Sequence, residues 1–289
     1  METARRVRQV FAAPNTPIGA MPMRQPLPMP GLPHLNPFLL LHHHGPYAFA
    51  PGSAGLPFGP HPHRGIQTVT FFLQGEGFHQ DNVGNRFSVA EGGVQWMVAG
   101  SGLLHAEQLT DRLLQTGGPV ELMQLWLNLP ARRKAEAPSY QGLQAADLPT
   151  LLLDHGRAQL TLVAGPYAGT PAAYPAQDGV HLYLIRLLPG AELTLDLPSG
   201  NVVLCYAVQG QAKVASTPLP AHSLAHLEPE GTQLHLAAEA EALLLLGWAP
   251  PLTEPLVSHG PFVMNTEQEI RQAYDDFRHG RFGTWQAAL

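Results

Sequence analysis

His61-Pro62-His63 and, 42 positions after the second histidine, His105-Ala106-Glu107 both set metal-ligand side chains two residues apart. In an extended strand, residues i and i+2 project from one face, so His61 and His63 point together, as do His105 and Glu107. Two such pairs on neighbouring strands inside a small barrel would converge four ligands on one point. Glu107 follows Leu103-Leu104-His105-Ala106, a setting in which an unpaired buried carboxylate is costly and a metal is one of the few partners that offset the cost. Three imidazoles and a carboxylate are borderline ligands that leave two positions of an octahedral first-row ion open, which implies chemistry or sensing. The set suits Fe(II) better than closed structural zinc, with Ni, Cu, Co, Mn and Zn left open.

Barrel strands must position these pairs, and the composition favours them. Gly and Pro, 29 of each in 289 residues, make up roughly a fifth of the chain, and charged residues only 13%, a balance that suits many short strands joined by tight turns. Segments 68–73, 94–99, 120–129, 160–164, 182–187, 202–208 and 243–247 are β-branched, aromatic or aliphatic and bounded by turn residues, as strands require. Residues 14–37 hold eight prolines in 24 positions, which excludes helix and central strand and predicts an extended arm. Residues 68–77 (TVTFFLQGEG) echo 203–212 (VLCYAVQGQA), each running a strand into a Gln-Gly turn. The echo predicts two similar β-barrels in tandem, 1–140 and 141–289, joined across the polar stretch 131–148. One helix is signalled at 266–279: Thr266 and Glu269 fit a capping box, Ile270, Tyr274 and Phe277 form an apolar stripe, and Gly280 sits where the chain should leave the helix.

Several classes fall away. A net charge of −6 with only 16 Lys plus Arg leaves no basic surplus for direct nucleic-acid binding. No apolar run approaches the ~20 residues of a membrane helix, and no signal-peptide core follows the N-terminus. With the lone Cys205, which rules out an intramolecular disulfide, this predicts a cytoplasmic protein. Gly75-Glu76-Gly77 lacks the helix of a dinucleotide fingerprint, Ser101 lacks a nucleophile elbow, and Cys205 in an apolar strand reads as an inert core thiol.

The strings NPFLLL (36–41), HHHGP (42–46), HPHRG (61–65), VQWMVAGSGLLHAE (94–107), MQLWLNL (123–129) and GPFVMNT (260–266) closely resemble the pirins. The resemblance covers nearly the whole chain. It implies an all-β protein of two tandem cupin (jelly-roll) barrels, with iron in the N-terminal one. It puts the metal ligands on His61, His63, His105 and Glu107, the four reached by spacing. Pirins commonly carry an acidic residue where His42 stands here, so His42, His43 and His44 are expected as a loop cluster, or as neighbours of the ligands. Gln67 replaces the Glu that the general cupin motif places after its two histidines, which leaves Glu107 as the carboxylate ligand. His79, with Asp81 two residues on, is expected to be structural or to support the ligands. If the Gln-Gly turns are superposed, Asp196 and Pro198 take the places of His61 and His63, so the second barrel is expected to be metal-free. The resemblance to bacterial pirins implies oxidation of flavonols of the quercetin class by O2, with Glu107 also the catalytic base. Animal pirins imply the alternative, an iron-bearing redox-sensing regulator that acts through protein partners.

Overall fold

The computed structural model describes residues 3–286. Every segment read as a strand is one, with bounds that differ by a residue or two: Ile66–Gln74, Val94–Val98, Gly118–Asn128, Ala158–Ala164, His181–Leu187, Val202–Gln209 and Ala242–Ala249. Further strands include segments without a clean apolar pattern, among them Phe58–His63, Glu76–Asp81, Arg86–Ala90 and Leu103–Leu109. No helix among the described residues is long and apolar enough to cross a membrane.

The chain divides into two compact units, and not at a single cut near residue 140. Among the described residues, one holds Ala146–Pro251 with Arg24–Pro37 and residues 3–15; the other holds Phe38–Ala145 with Thr16–Met23 and residues 252–286. The chain ends are thus exchanged relative to the tandem reading. At the N-terminus the reason is pairing: Val7–Ala12 adds antiparallel to Ser223–Leu227 at the edge of a seven-stranded sheet. The Arg5 guanidinium beside it is fully buried and donates to the carbonyls of Pro198, Asn201 and Gly231. At the C-terminus the reason is packing: Ile270 and Ala273 of the helix Glu267–Arg278 bury against Phe262, Met264 and Phe282, with Leu104 alongside. The helix carries the capping box of Thr266 and Glu269, and Gly280 follows it at φ +69°.

In the first of these units the seven-stranded sheet faces a sheet of Ala191–Asp196, Gln233–Ala238, Ala212–Val214 and Thr217–Leu219. Between them lies a largely aliphatic core that includes Leu160, Ile185, Leu195, Cys205, Leu234 and Leu246. In the other unit, Ser139–Leu143, Val94–Val98, Ile66–Gln74, Gly118–Asn128 and Phe38–Phe49 form adjacent antiparallel strands in that order. Opposite them run Phe58–His63, Leu103–Leu109, Glu76–Asp81 and Arg86–Ala90. Phe72, Val89, Leu109, Val120 and Leu122 close one end of this barrel with a dry cluster. Next to it the interior is polar, at Thr70, Gln95, Glu107 and Gln124, and beyond that a second apolar cluster holds Ile66, Met97 and Leu103.

The Gln-Gly echo has a structural counterpart. Gly75 and Gly210 both sit at positive φ, where a side chain would meet the backbone of the next strand to pair, at Pro119 and Glu241 respectively. Both following pairings carry a bulge beside the turn, at Glu121/Leu122 and Ala207/Gln209. The two barrels are turned by the same device.

Candidate metal centre

Phe58–His63 lies at the edge of its sheet, which is why a strand containing Pro60 and Pro62 is tolerated there. It pairs with Leu103–Leu109 so that His61 stands directly opposite His105, while His63, two residues on, shares the face of His61. One donor atom from each of His61, His63 and His105 lies within 4.8 Å of the others. Their ring centroids are 4.3 to 5.1 Å apart.

The ring nitrogens are already sorted. His61 Nδ1 lies 2.7 Å from the Gly59 carbonyl and His63 Nδ1 3.2 Å from that of Pro261. A carbonyl only accepts, so both Nδ1 atoms carry the proton, and in the neutral ring the lone pair is on Nε2. His105 is 1% exposed, and neither of its ring nitrogens has a hydrogen-bond partner among the described residues. Burial, reinforced by the neighbouring imidazoles, holds His105 well below the usual histidine range and His63 at about 3, so both are neutral, as ligands must be. An orphaned imidazole buried between two pre-aimed lone pairs fits a metal ion, because coordination satisfies the atom that the protein leaves unpaired.

Glu107, the fourth residue of the sequence reading, is not among the donors within 4.8 Å of one another. It is buried, and its carboxylate lies in a cradle of neutral donors on the opposite sheet. Thr70 Oγ1 donates at 3.1 Å and Gln124 Nε2 at 2.6 Å, and Gln95 Nε2 makes a close third bond. Each amide is itself fixed: Gln95 Oε1 accepts from the Tyr140 hydroxyl, and Gln124 Oε1 from Trp126 Nε1. Both clamps reach the histidines. Trp126 stands edge-on to His63, and Tyr140 stacks at 3.9 Å on His79, whose ring is 5.4 Å from His105.

His79 therefore supports the cluster. Its Nε2 lies 3.2 Å from Asp81 Oδ2. Burial pushes the Asp81 carboxyl up, but hydrogen bonds from His79 and Asn85 outweigh it and hold the group below the usual carboxylate range. His42, His43 and His44 are not a loop cluster: they lie inside the strand Phe38–Phe49. His42 pairs across from Gln124, which pairs in turn with Thr70, so all three share the face turned to Glu107. His44, on that face too, packs its ring on Phe58 at 5.3 Å and keeps a buried, unpartnered Nδ1. Burial lowers His42 to about 4 and His44 to about 3. His43 points the other way, to Glu121 at 3.0 Å. Gln67 falls out of phase with Thr70 and accepts from Trp96 Nε1, so it does not face the site.

The residues sequence reasoning missed are Thr70, Gln95, Gln124, Trp126, Tyr140 and Lys134. A polar residue on alternate positions of an otherwise apolar strand, as at Thr68 and Thr70, is the one local signal available; which strands face which is set by non-local register.

Two β-barrels in one chain, one with three convergent imidazoles on its inner wall, define a bicupin with a candidate metal centre. The comparisons narrow the class: the Pirin family model matches residues 20–127 and the Pirin C-terminal cupin domain model residues 182–283. A Pseudomonas aeruginosa protein named "Putative quercetin 2,3-dioxygenase" is 38% identical over 249 residues, 86% of this chain and 87% of its own. The crystal structure of a quercetin 2,3-dioxygenase from Acinetobacter baumannii is 34% identical, with a TM-score of 0.91 over 98% of this chain and 99% of that one. A bacterial pirin from Escherichia coli solved in complex with nickel(II), 19% identical, shares the fold with a TM-score of 0.66 over 84% of this chain and all of that one. The chain belongs to the pirin family.

Proposed function

We propose that this pirin is a metal-dependent dioxygenase that oxidises flavonols of the quercetin class with O2, and that Fe(II) is its working metal. The observation that carries the proposal is the pairing of the orphaned His105 between pre-aimed His61 and His63 with a clamped carboxylate, Glu107, across the same barrel interior. A metal held by His61, His63 and His105, with Glu107 the fourth ligand, would supply Lewis-acid binding of a flavonol oxygen and a site for O2. The protein's own groups do the rest. Glu107 takes the proton of the flavonol 3-hydroxyl, a task for which its carboxylate is pre-positioned by Thr70, Gln95 and Gln124. His44, whose buried Nδ1 has no partner, would offer a polar contact to another hydroxyl of a flat polyphenol. The names of the relatives support this reading of substrate.

Aerobic turnover of a flavonol panel by Fe(II)-loaded protein tests it. Equal consumption of flavonol and O2 with release of carbon monoxide is expected. Absence of O2 uptake with every flavonol refutes it, and partner binding that differs between the Fe(II) and Fe(III) forms would then assign a regulatory role.

A further inference from the structure

Pro261 and Val263 lie against the strand end that carries His63. His63 Nδ1 donates to the Pro261 carbonyl, and two residues on Val263 N donates to the Arg64 carbonyl at 3.1 Å. Gly65 leaves no room between these segments: a Cβ there would lie 1.9 Å from the Val263 carbonyl oxygen. Under this junction the buried Lys134 ammonium donates to the carbonyls of Gly65 (2.9 Å) and Val263 (3.0 Å) and to Asn128 Oδ1 (2.6 Å). The Arg64 guanidinium reaches further. It donates to the Ser101 carbonyl at 2.7 Å and to Asp276 of the helix Glu267–Arg278 at 2.7 Å, and lies 4.4 Å above the ring of Phe282. Asp276 is held in turn by Gln272 and Arg281. Leu104, the neighbour of His105, packs into the helix's own apolar cluster.

We infer that Lys134 and Asp276 are positioning residues for the metal centre, which they serve by docking Pro261–Val263 and the C-terminal helix against the strands that carry His61, His63 and His105. The inference rests on the metal-site reading above. Its physical content is linkage: if docking aims His63, then an ion on His63 strengthens docking by the same free energy with which docking strengthens ion binding. Loss of the Pro261 contact frees the His63 ring to rotate and to change tautomer, and partners of this kind typically matter 10- to 100-fold in metal affinity.

The test uses Co(II) alone on the full chain, read by its d–d absorption and by amide hydrogen exchange. Wild-type protein should bind Co(II) and slow exchange in Phe262–Met264 and Glu267–Arg278. Asp276→Asn should weaken Co(II) binding about tenfold or more, Asp276→Glu should recover most of it, and Glu228→Gln, which breaks a pair with Arg8 in the other unit, should leave it unchanged. Lys134→Met should weaken binding in the same way, and Asp276→Asn carries the test if that variant does not fold. Wild-type affinity in Asp276→Asn, or helix exchange indifferent to Co(II), overturns the inference while leaving the metal site intact. Co(II) binding that survives His63→Ala overturns both.

Discussion

Replacing His105 with leucine separates what the site costs the fold from what it gives the function. Without metal, His105 buries two ring nitrogens that have no partner, and an unsatisfied buried polar group costs about 1–3 kcal/mol. Leucine fills a similar volume without polar atoms, so metal-free His105→Leu should be more stable than metal-free wild type by about 1–3 kcal/mol. For a unit of this size each kcal/mol raises the melting temperature by about 2–4 °C. Added Co(II) should reverse the ranking: at a hundred times its dissociation constant it stabilises wild type by about 2.7 kcal/mol, and it should leave the variant unchanged. Thermal and urea unfolding of chelator-treated protein, each with and without Co(II), give all four values. A metal-free variant less stable than wild type, or one that Co(II) still stabilises, would refute the argument that His105 is held in the core for a ligand.

Glu107→Gln in a form that retains its metal should lose flavonol turnover by ~10²-fold or more, measured as O2 uptake, if the carboxylate is the base. Burial lowers Lys134 from 10.5 to about 8, against weaker upward pulls from Glu254 and Glu269. The unfolded chain therefore binds the extra proton between those values, and the Lys134 contribution to stability rises with pH across that window. The stability of wild type relative to Lys134→Met should accordingly climb by up to about 3 kcal/mol from pH 8 to 10.5, and a flat difference in urea titrations counts against it. Arg5→Met strands the carbonyls that its guanidinium satisfies at Pro198, Asn201 and Gly231. It should destabilise its unit by about 2 kcal/mol or more on denaturation, without changing Co(II) affinity.

What could be read from the sequence was whatever repeats locally. Period-two spacing pairs His61 with His63 and aims both at His105, and the Thr266/Glu269 box starts the terminal helix where expected. The Gln-Gly echo marks the same turn in both barrels because each needs a glycine where the next strand crosses close by. What could not be read depends on distant partners. Three consecutive histidines before Gly45-Pro46 look like a loop, and only their register with Gln124 and the contact of His43 with Glu121, 78 residues away, makes them a strand. Gln95 and Gln124 are ordinary polar residues until pairing sets both opposite Glu107. The exchange of chain ends between the two units is equally silent, since Val7–Ala12 and the terminal helix state that they need a surface and not which one.

The position of Pro261 sets an order for biosynthesis. His63 leaves the ribosome 198 residues ahead of the carbonyl that orients it, an interval of roughly 10–40 s at ordinary rates of chain elongation. Throughout that time the His63 ring has no Pro261 carbonyl to fix its tautomer. The His63 ring therefore gains its tautomer-fixing partner only once residues 261–263 have been made and docked, and until then it is an imidazole free to rotate.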